Sequence, residues 1–366
     1  MDYHGRLQRL KATLRRKRLD GLLISQPQNR RYLCGYSAVD HSIAESSGVL
    51  LVCARNDTFL LTDFRYEIQA RVEVRQALVQ LYPRGLNALL KKKVTELGLQ
   101  RVGFESHAML HSSGIKLMST GSDTGCDFIP TTSMVERQRL IKDQDEIDRI
   151  RDSVRLNEQV FEGIMATIDG GETELEIALA IETSMRLRGS EGPSFETIVA
   201  SGPNSALPHA VPGPRPIKKN APLMIDMGLV LDGYCSDMTR TVILGRADKR
   251  YLEVQRLVRK AQLAAIKTIR PGVTMREVDS CARSIIAEAG YGSNFGHALG
   301  HGVGLAVHES PRLSSRSRAK LKSGMVVTVE PGIYLPDWGG VRLENMVVVT
   351  DDGCEVLNRD TTGLDL

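Results

Sequence analysis

The sequence predicts an α/β domain at the N-terminal end of the chain, followed by a second, α+β domain built as a pseudo-two-fold repeat. Strand-like and helical stretches alternate at the start of the chain, and a sequence repeat with a constant offset occupies the rest. Within the repeat, two hairpin-like stretches carry carboxylates between apolar residues. A chain of 366 residues is long enough for two domains. We expect the domains to span residues 1–130 and 131–366.

The first domain begins with a predicted helix. Leu7, Leu10 and Leu14 recur at helical spacing, and Asp20-Gly21 ends the run. Apolar, β-branched and turn-flanked segments then predict strands, with helical segments between them. The strands are expected over residues 22–25, 48–53, 58–62 and 102–105, and the helices over residues 65–76 and 86–97. This alternation is typical of an α/β domain, and we expect residues 127–139 to link it to the next domain.

The second domain opens with a long polar helix over residues 143–168, and an internal repeat begins near its end. Residues 164–177 match residues 265–278, with Thr173 opposite Thr274 (274 − 173 = 101). In both copies a helix ends at glycine, and the threonine is suited to cap the helix that follows. A duplicated unit of this kind predicts two related halves around a pseudo-two-fold axis.

Each half of the repeat contains a hairpin that carries two acids. The hairpins span residues 223–241 and 326–349. Apolar strands rarely hold acids unless the acids are paired or bind a cation, because an unpaired buried charge is expensive to desolvate. The repeat places Asp226 opposite Glu330 and Asp237 roughly opposite Glu344. We therefore expect the four acids to face one another in a site between the halves.

Four of the eight histidines lie in glycine- or proline-flanked stretches of the second domain: His209, His297, His301 and His308. His297 and His301 have the spacing of a helical zinc site, but the glycines around them argue against a helix there. Each acid has an ordinary structural interpretation when taken alone, as a turn residue, a strand cap or an ion-pair partner. Their co-occurrence in two related hairpins favours a joint site.

Carboxylates with imidazole and without cysteine suit divalent ions such as Mn(II), Co(II) or Zn(II). Four acids carry more negative charge than one ion needs, so we expect two ions roughly 3.5 to 4 Å apart, bridged by carboxylates and a hydroxide. Such a centre makes a nucleophile at neutral pH and polarises a carbonyl, which predicts hydrolysis. The chain has no GxSxG elbow, no cysteine in a credible histidine-paired context and no dinucleotide-binding pattern in a strand–turn–helix context.

Composition narrows the class of protein further. The net charge of +4 is spread over 48 basic and 44 acidic residues, which does not favour a nucleic-acid partner. No apolar run reaches about 18 residues, and the first residues lack an apolar signal segment, so neither a membrane nor secretion is supported. The six cysteines are far apart and form no CxxC pair. Reduced thiols in the cytoplasm are the expected state.

The motifs SGPNSALPHA, MIDMG with GYCSDMTRT, FGHALGHGVGLAVHE, TVEPGIY and GGVRLEN resemble those of the "pita-bread" metallopeptidases, in their prolidase and aminopeptidase P branch. The motifs follow the family's order and run through the whole second domain. The resemblance implies a pita-bread catalytic domain behind a creatinase/prolidase-like N-terminal domain. It also implies two divalent ions, with manganese favoured, and a homodimer in which the N-terminal domain of one chain borders the site of the other.

Carried to this sequence, the resemblance implies a role for each site residue. Asp226 would bind one metal, Asp237 and Glu344 would bridge both, and His301 and Glu330 would bind the second. Glu330 would also act as general base and then acid. The other implied site residues line the substrate pocket, with catalytic parts for the first two: His209, His308, His297, Tyr334 and Arg342.

Two of the three pocket histidines would contact the scissile carbonyl or the substrate proline. Arg342 would hold a ligand carboxylate in place. Asn345 departs from the family, which often has aspartate after the last bridging glutamate. All five implied ligands are present, which disfavours metal-free relatives.

The resulting hypothesis is a two-metal exopeptidase that hydrolyses the bond between an N-terminal residue and proline, as an Xaa-Pro dipeptidase or an Xaa-Pro aminopeptidase. Its partners would be peptides with proline in second position, with no nucleic acid and no membrane. Two alternatives remain open from the residues. One is a hydrolase of the same fold that acts on a small non-peptide metabolite, and the other is a non-catalytic interaction module.

Overall fold

The computed structural model describes residues 1–359, and the chain divides into two compact units, Met1–Arg139 and Leu140–Leu366. The sequence-based boundary at residue 130 falls inside the last strand of the first unit. The elements of the first unit are α1 (Tyr3–Arg16), β1 (Gly21–Ile24), α2 (Pro27–Cys34), β2 (Val49–Cys53), β3 (Thr58–Thr62), α3 (Glu67–Glu73), β4 (Leu78–Leu81), α4 (Leu86–Glu96), β5 (Arg101–Glu105), α5 (His111–Thr124), β6 (Asp127–Thr131) and α6 (Glu136–Arg139).

The first unit is an α/β domain around one mixed sheet, as the sequence predicts. The strand order is β4-β3-β2-β1-β5-β6, with β1 antiparallel to β2 and parallel to β5. Helix α1 buries Leu7, Leu10 and Leu14, the residues whose spacing predicts it. Strands β1, β2 and β3 are buried along their whole length, which explains why their apolar runs are readable in the sequence.

Residues 127–139 are not a linker, and that interpretation of the sequence was wrong. Residues Asp127–Thr131 form the edge strand β6, which pairs in parallel with β5. Only Phe128 of this strand is buried, and Pro130 interrupts its pattern, so its sequence resembles a loop. Helix α3 is also shorter than predicted, because a 3-10 turn over Phe64–Tyr66 precedes it and Val74 is extended.

Within the described residues, the second unit contains thirteen strands and four long helices. Its elements are α7 (Gln144–Met165), α8 (Glu174–Leu187), β7 (Gly192–Pro193), β8 (Ile198–Ser201), β9 (Pro222–Met227), β10 (Leu229–Leu231), β11 (Tyr234–Cys235), β12 (Met238–Ile243), α9 (Lys249–Thr268), α10 (Met275–Glu288), β13 (Gly300–Gly302), β14 (Glu309–Leu313), β15 (Val326–Val329), β16 (Gly332–Leu335), β17 (Gly339–Arg342), β18 (Asn345–Val349) and β19 (Cys354–Val356).

The predicted repeat is confirmed in the second unit. Thr173 caps α8 and Thr274 caps α10, each in a capping box with the glutamate three residues on. Each threonine also forms an isolated bridge to a later strand-like residue, Pro216 in one half and Lys320 in the other. The glycines that follow the two helices, at positions 189 and 290, have φ of 95° and 88°.

Each half contributes an antiparallel sheet and its own apolar core. The strand order is β8-β9-β12 in the first half and β14-β13-β15-β18-β19 in the second. Helices α7 and α8 pack on the first set, and α9 and α10 pack on the second. The two sets of strands contact each other where the Glu344 N–H donates to the Thr239 carbonyl. None of the helices among residues 1–359 combines the length and the apolar character needed to cross a membrane.

Candidate metal centre

The four predicted acids lie at the ends of paired strands in the second unit. Asp226 stands in β9 opposite Thr239, and Asp237 immediately precedes β12. Glu330 immediately follows β15, and Glu344 immediately precedes β18. The strands fix these side chains because the carboxylates project from a ladder whose register is set by both neighbours.

Backbone bonds join the two halves at the acids themselves. The Glu344 N–H donates to the Thr239 carbonyl over 3.1 Å, so the second hairpin lies directly against β12 of the first. Two bonds through the Thr241 hydroxyl, to the N–H and C=O of Arg342, extend this contact at 3.1 and 3.0 Å. The site is therefore built from both copies of the repeat.

The donor atoms converge as a cation site requires. One donor atom each from Asp237, His301 and Glu344 lie within 4.8 Å of one another. His301 Nε2 is 3.5 Å from Asp237 Oδ2 and 3.4 Å from Glu330 Oε1. Among the described residues, Asp226 Oδ1 and Glu344 Oε1 are buried without a hydrogen-bond partner. Buried carboxylate oxygens are rarely left unpaired, so these orphaned atoms fit a divalent metal.

The tautomer of His301 suits it to be a ligand. Its Nδ1 lies 3.1 Å from the Gly302 carbonyl, which only accepts, so the ring proton sits on Nδ1. Burial lowers the pKa of His301 to about 4, and the ring is neutral at pH 7. The Nε2 lone pair therefore faces Asp237 and Glu330, an arrangement that a cation would stabilise.

Burial and mutual repulsion oppose ionisation of the acids. Burial raises the pKa of Glu330 to about 8. Burial also raises the pKa of Asp237 well above its usual range, and the charge of Glu344 adds to the shift. The pKa of Glu344 is raised well above its usual range by burial, with Glu330 as the next cause. These raised pKa values favour the protonated acids, and a bound cation would oppose that shift, so metal binding is coupled to proton release.

Arg342 is a buried cation whose side chain contacts the acids. Its guanidinium donates to Asp226 Oδ2 over 2.6 Å and to the Tyr334 hydroxyl over 2.8 Å. It also donates to Thr239 Oγ1 over 3.0 Å, and this hydroxyl donates to Glu344 Oε2 over 2.7 Å. One arginine thereby orients an acid of each half.

The histidines predicted to line the pocket differ in their surroundings. His297 is fixed at both nitrogens, since Nδ1 donates to the Ala298 carbonyl over 2.8 Å and Nε2 accepts from the Tyr334 hydroxyl over 2.9 Å. Burial lowers its pKa to about 4, which agrees with a neutral acceptor. His209 and His308 are exposed at the cavity. The ring of His308 lies 4.2 Å from that of His301, centroid to centroid.

A cavity of about 740 Å³ opens onto the acids and contains His209, His297, His301 and His308 in its wall. Sequence reasoning missed two features of this wall. Phe195 and Ile198 form an apolar side, and Arg312 adds an exposed guanidinium. Arg312 alternates with buried neighbours in β14, but no motif in the sequence distinguishes it from a solvated strand residue. Phe195 and Ile198 lie in an ordinary apolar stretch before the first motif.

Fold and site together define a class, a hydrolase in which converging acids and a histidine could hold a divalent metal ion. The model of metallopeptidase family M24 matches residues 148–351, and the model of the creatinase/prolidase N-terminal domain matches residues 6–141. The chain belongs to metallopeptidase family M24, and it is a metallopeptidase. Family membership also implies the use of a divalent metal.

The similarity to known proteins extends over nearly the whole chain. The Xaa-Pro dipeptidase of Pyrococcus furiosus is 34% identical over 358 residues, which cover 97% of each chain. The structure of the Xaa-Pro dipeptidase from Bacillus anthracis is 36% identical, with a TM-score of 0.91 and 99% of both chains covered. The structure of the X-Pro aminopeptidase from Thermotoga maritima is 36% identical, with a TM-score of 0.86, covering 94% of this chain and 98% of that one.

Proposed function

We propose that this metallopeptidase hydrolyses the peptide bond between an N-terminal residue and proline, with Asp226, Asp237, His301, Glu330 and Glu344 holding two divalent ions. The observation that carries the proposal is the convergence of these five side chains at the cavity, with two buried carboxylate oxygens unpartnered within the described chain. The similarity to Xaa-Pro peptidases along the whole chain supports the choice of bond.

Divalent ions at this position would polarise the scissile carbonyl and lower the pKa of the attacking water. Glu330 is placed to take the water proton and return it to the leaving nitrogen, since it lies at the cavity wall. Thr328 donates to Glu330 Oε1 over 3.2 Å and steadies the carboxylate. His209 and His308 line the same cavity and are placed to contact the scissile carbonyl or the substrate proline.

The specificity is tested with metal-free protein reloaded separately with Mn(II), Co(II) or Zn(II). We expect kcat/KM for Xaa-Pro dipeptides to exceed that for matched Xaa-Ala dipeptides by at least about tenfold, because an enzyme discriminates substrates by its transition-state contacts. Chelated protein is the control and should be inactive. Equal rates on Xaa-Pro and Xaa-Ala peptides would overturn the specificity, and turnover of small non-peptide carboxylates alone would favour the metabolite hydrolase.

Arg312 bears on the length of the peptide. It lines the cavity as an exposed guanidinium, and no ion pair to it is found among residues 1–359. A cation there suits the free carboxylate of a dipeptide better than a peptide that continues beyond proline. We therefore propose dipeptides as the preferred substrates.

The substitution Arg312→Gln checks this preference. KM for an Xaa-Pro dipeptide is expected to rise about tenfold, the usual size of a lost charge-assisted bond, while KM for the corresponding Xaa-Pro amide changes less than about twofold. Arg316→Gln, an exposed arginine outside the cavity, is the matched control. An equal rise in KM for the dipeptide and the amide would contradict a role in carboxylate recognition.

We also propose manganese as the metal, a homodimer as the assembly and the cytoplasm as the location. Carboxylate oxygens dominate the donor set, which suits Mn(II), and all six cysteines are free thiols, which suits a reducing compartment. Metal content of protein purified without added metal, mass by light scattering and cell fractionation test the three statements. Bound zinc, a monomer mass or secretion would each overturn one of them.

A further inference from the structure

Two loops carry pocket histidines, and the structure holds them by different means. The segment named loop 201–213 begins at the last residue of β8 and includes a 3-10 turn over Gly202–Ala206, and it carries His209. Loop 295–299 carries His297. The His209 side chain is exposed and accepts or donates no hydrogen bond within residues 1–359. Its position at the cavity therefore depends on the backbone of its loop.

Glu174, the first residue of α8, closes the base of loop 201–213. Its side chain is fully buried. One oxygen accepts from the Ser201 N–H over 2.9 Å, and the other accepts from the Gly213 N–H over 3.2 Å. The side chains of Asn204 and Arg215 complete the set, at 3.0 and 3.1 Å. One carboxylate thus ties together both ends of the loop.

The other half of the repeat holds the far side of the same loop. Arg342 donates to the Pro208 carbonyl, next to His209, over 3.1 Å. The Gly340 N–H donates to the Ser205 hydroxyl over 2.8 Å. His209 therefore lies between the anchor at Pro208 and the anchor at Gly213, only a few residues from each.

Helix α10 does the same for loop 295–299 with an ion pair between Arg283, which is partly exposed, and the buried Asp279. The Asp279 side chain is fully buried and accepts from Arg283 at both oxygens, over 2.8 and 2.9 Å. Asp279 also accepts from the Leu299 N–H over 3.1 Å. Arg283 donates to the carbonyls of Phe295 and His297, each over 2.8 Å. The pair thus binds the backbone on both sides of His297.

We propose that Glu174 and Asp279 are positioning residues that set the pocket histidines, each acting on the loop of its own half. Neither carboxylate lines the cavity. Helices α8 and α10 are the equivalent second helices of the repeat. In each half, an acid on this helix therefore binds the backbone of the loop that carries the histidine. A charged acceptor is needed because several donors converge on each side chain, and a neutral amide would present its own N–H groups to them.

Hydrogen exchange tests the proposal without activity, on full-length, metal-loaded protein. In Glu174→Gln, we expect exchange of loop 201–213 to quicken by about tenfold or more, with loop 295–299 unchanged, because each lost bond opens only its own loop. Asp279→Asn should give the reverse pattern. Glu182→Gln on α8 is the control, since Glu182 makes no hydrogen bond within the described chain. Unchanged exchange in both loops, or equal change in both, would overturn the proposal.

Kinetics provide the second test and rest on the proposed Xaa-Pro activity. Glu174→Gln is expected to raise KM about tenfold, whereas a loss of folded enzyme alone would lower the apparent kcat and leave KM unchanged. Adding His209→Ala to Glu174→Gln should lower kcat/KM by less than about a further threefold, because both changes remove the contact of His209 with the substrate. Fully additive effects, or a change in kcat alone, would contradict positioning.

A milder variant covers the case in which Glu174→Gln folds poorly. Arg215→Ala removes one donor whose side chain is 55% exposed, so Glu174 keeps its other partners. We expect a smaller rise in exchange confined to loop 201–213 and no change in melting temperature or metal content.

If wild-type protein proved inactive on Xaa-Pro peptides, the proposed function would fail while the exchange experiment still decided the role of Glu174 and Asp279. Normal exchange in Arg215→Ala and Glu174→Gln alike would count against it.

Discussion

Replacing Asp237 with asparagine is expected to abolish peptidase activity while making the metal-free protein more stable. Asp237 is one of the converging donors, so its loss should reduce bound metal and lower kcat/KM by at least about a thousandfold. Elemental analysis of the purified variant and a peptide assay at saturating metal measure the two effects.

The gain in stability follows from the sign of the pKa shift. The pKa of Asp237 is raised by burial and then by Glu344, so the folded, metal-free protein binds a proton that the unfolded chain lacks. Stability therefore falls as the pH rises from the ordinary aspartate pKa through the raised one. Asparagine does not titrate, and the metal-free variant should melt above metal-free wild type at neutral pH.

Asp232→Asn is the matched control for this experiment. Asp232 lies in the same hairpin as Asp237, its side chain is 71% exposed, and its φ of 49° is one that asparagine adopts readily. Within residues 1–359, Asp232 forms its ion pair with Arg149 at the surface. Activity, metal content and melting should stay at wild-type levels. An Asp237→Asn protein with two tightly bound ions and full activity would refute the assignment of this acid to the centre.

Replacing Arg342 with lysine is expected to lower kcat/KM by about a hundredfold and to lower the melting temperature, because positioning contacts around a metal are worth 10- to 100-fold each. The arginine is buried and serves Asp226, Tyr334, Thr239 and the Pro208 carbonyl at once. A lysine ammonium cannot reproduce this planar fork. Steady-state kinetics and thermal melting of the metal-loaded variant measure the effects.

Arg256→Lys on α9 provides the comparison, because Arg256 is exposed and forms no hydrogen bond in the described part of the chain. It should match wild type in both measurements. If Arg342→Lys kept wild-type kinetics, Arg342 would be a structural residue without influence on the acids. Retained activity with a lower melting temperature would lead to the same conclusion.

The repeat and its acids could be predicted from the sequence because each leaves a local signal. The capping threonines, the closing glycines and the charged residues inside apolar strands are all visible without any knowledge of contacts. The resemblance to a known family then supplied a role for each. The contacts of Arg342 with Asp226 and Thr239 join residues more than a hundred positions apart, and only the folded chain reveals them.

Other features were missed for physical reasons. Strand β6 is an edge strand with one buried side chain, so its apolar pattern is too weak to read. Helix α5 contains Gly114 and Gly121 among small polar residues, which lowers its helical signal. In the sequence, Glu174 resembles any glutamate in the first turn of a helix. Acids are common there because they interact favourably with the helix dipole. Glu174 is buried and has four partners because loop 201–213 folds back against it, and the sequence does not show this contact.

The backbone bond between Thr239 and Glu344, and the bonds of the Thr241 hydroxyl to the Arg342 backbone, constrain how this chain can vary. An acid in one half owes its position to a strand in the other, so the two copies of the repeat are not free to diverge separately. We expect a substitution at Thr239 or Thr241 to change which residues are tolerated at Arg342 and Glu344. The two halves should therefore show epistasis at these four positions.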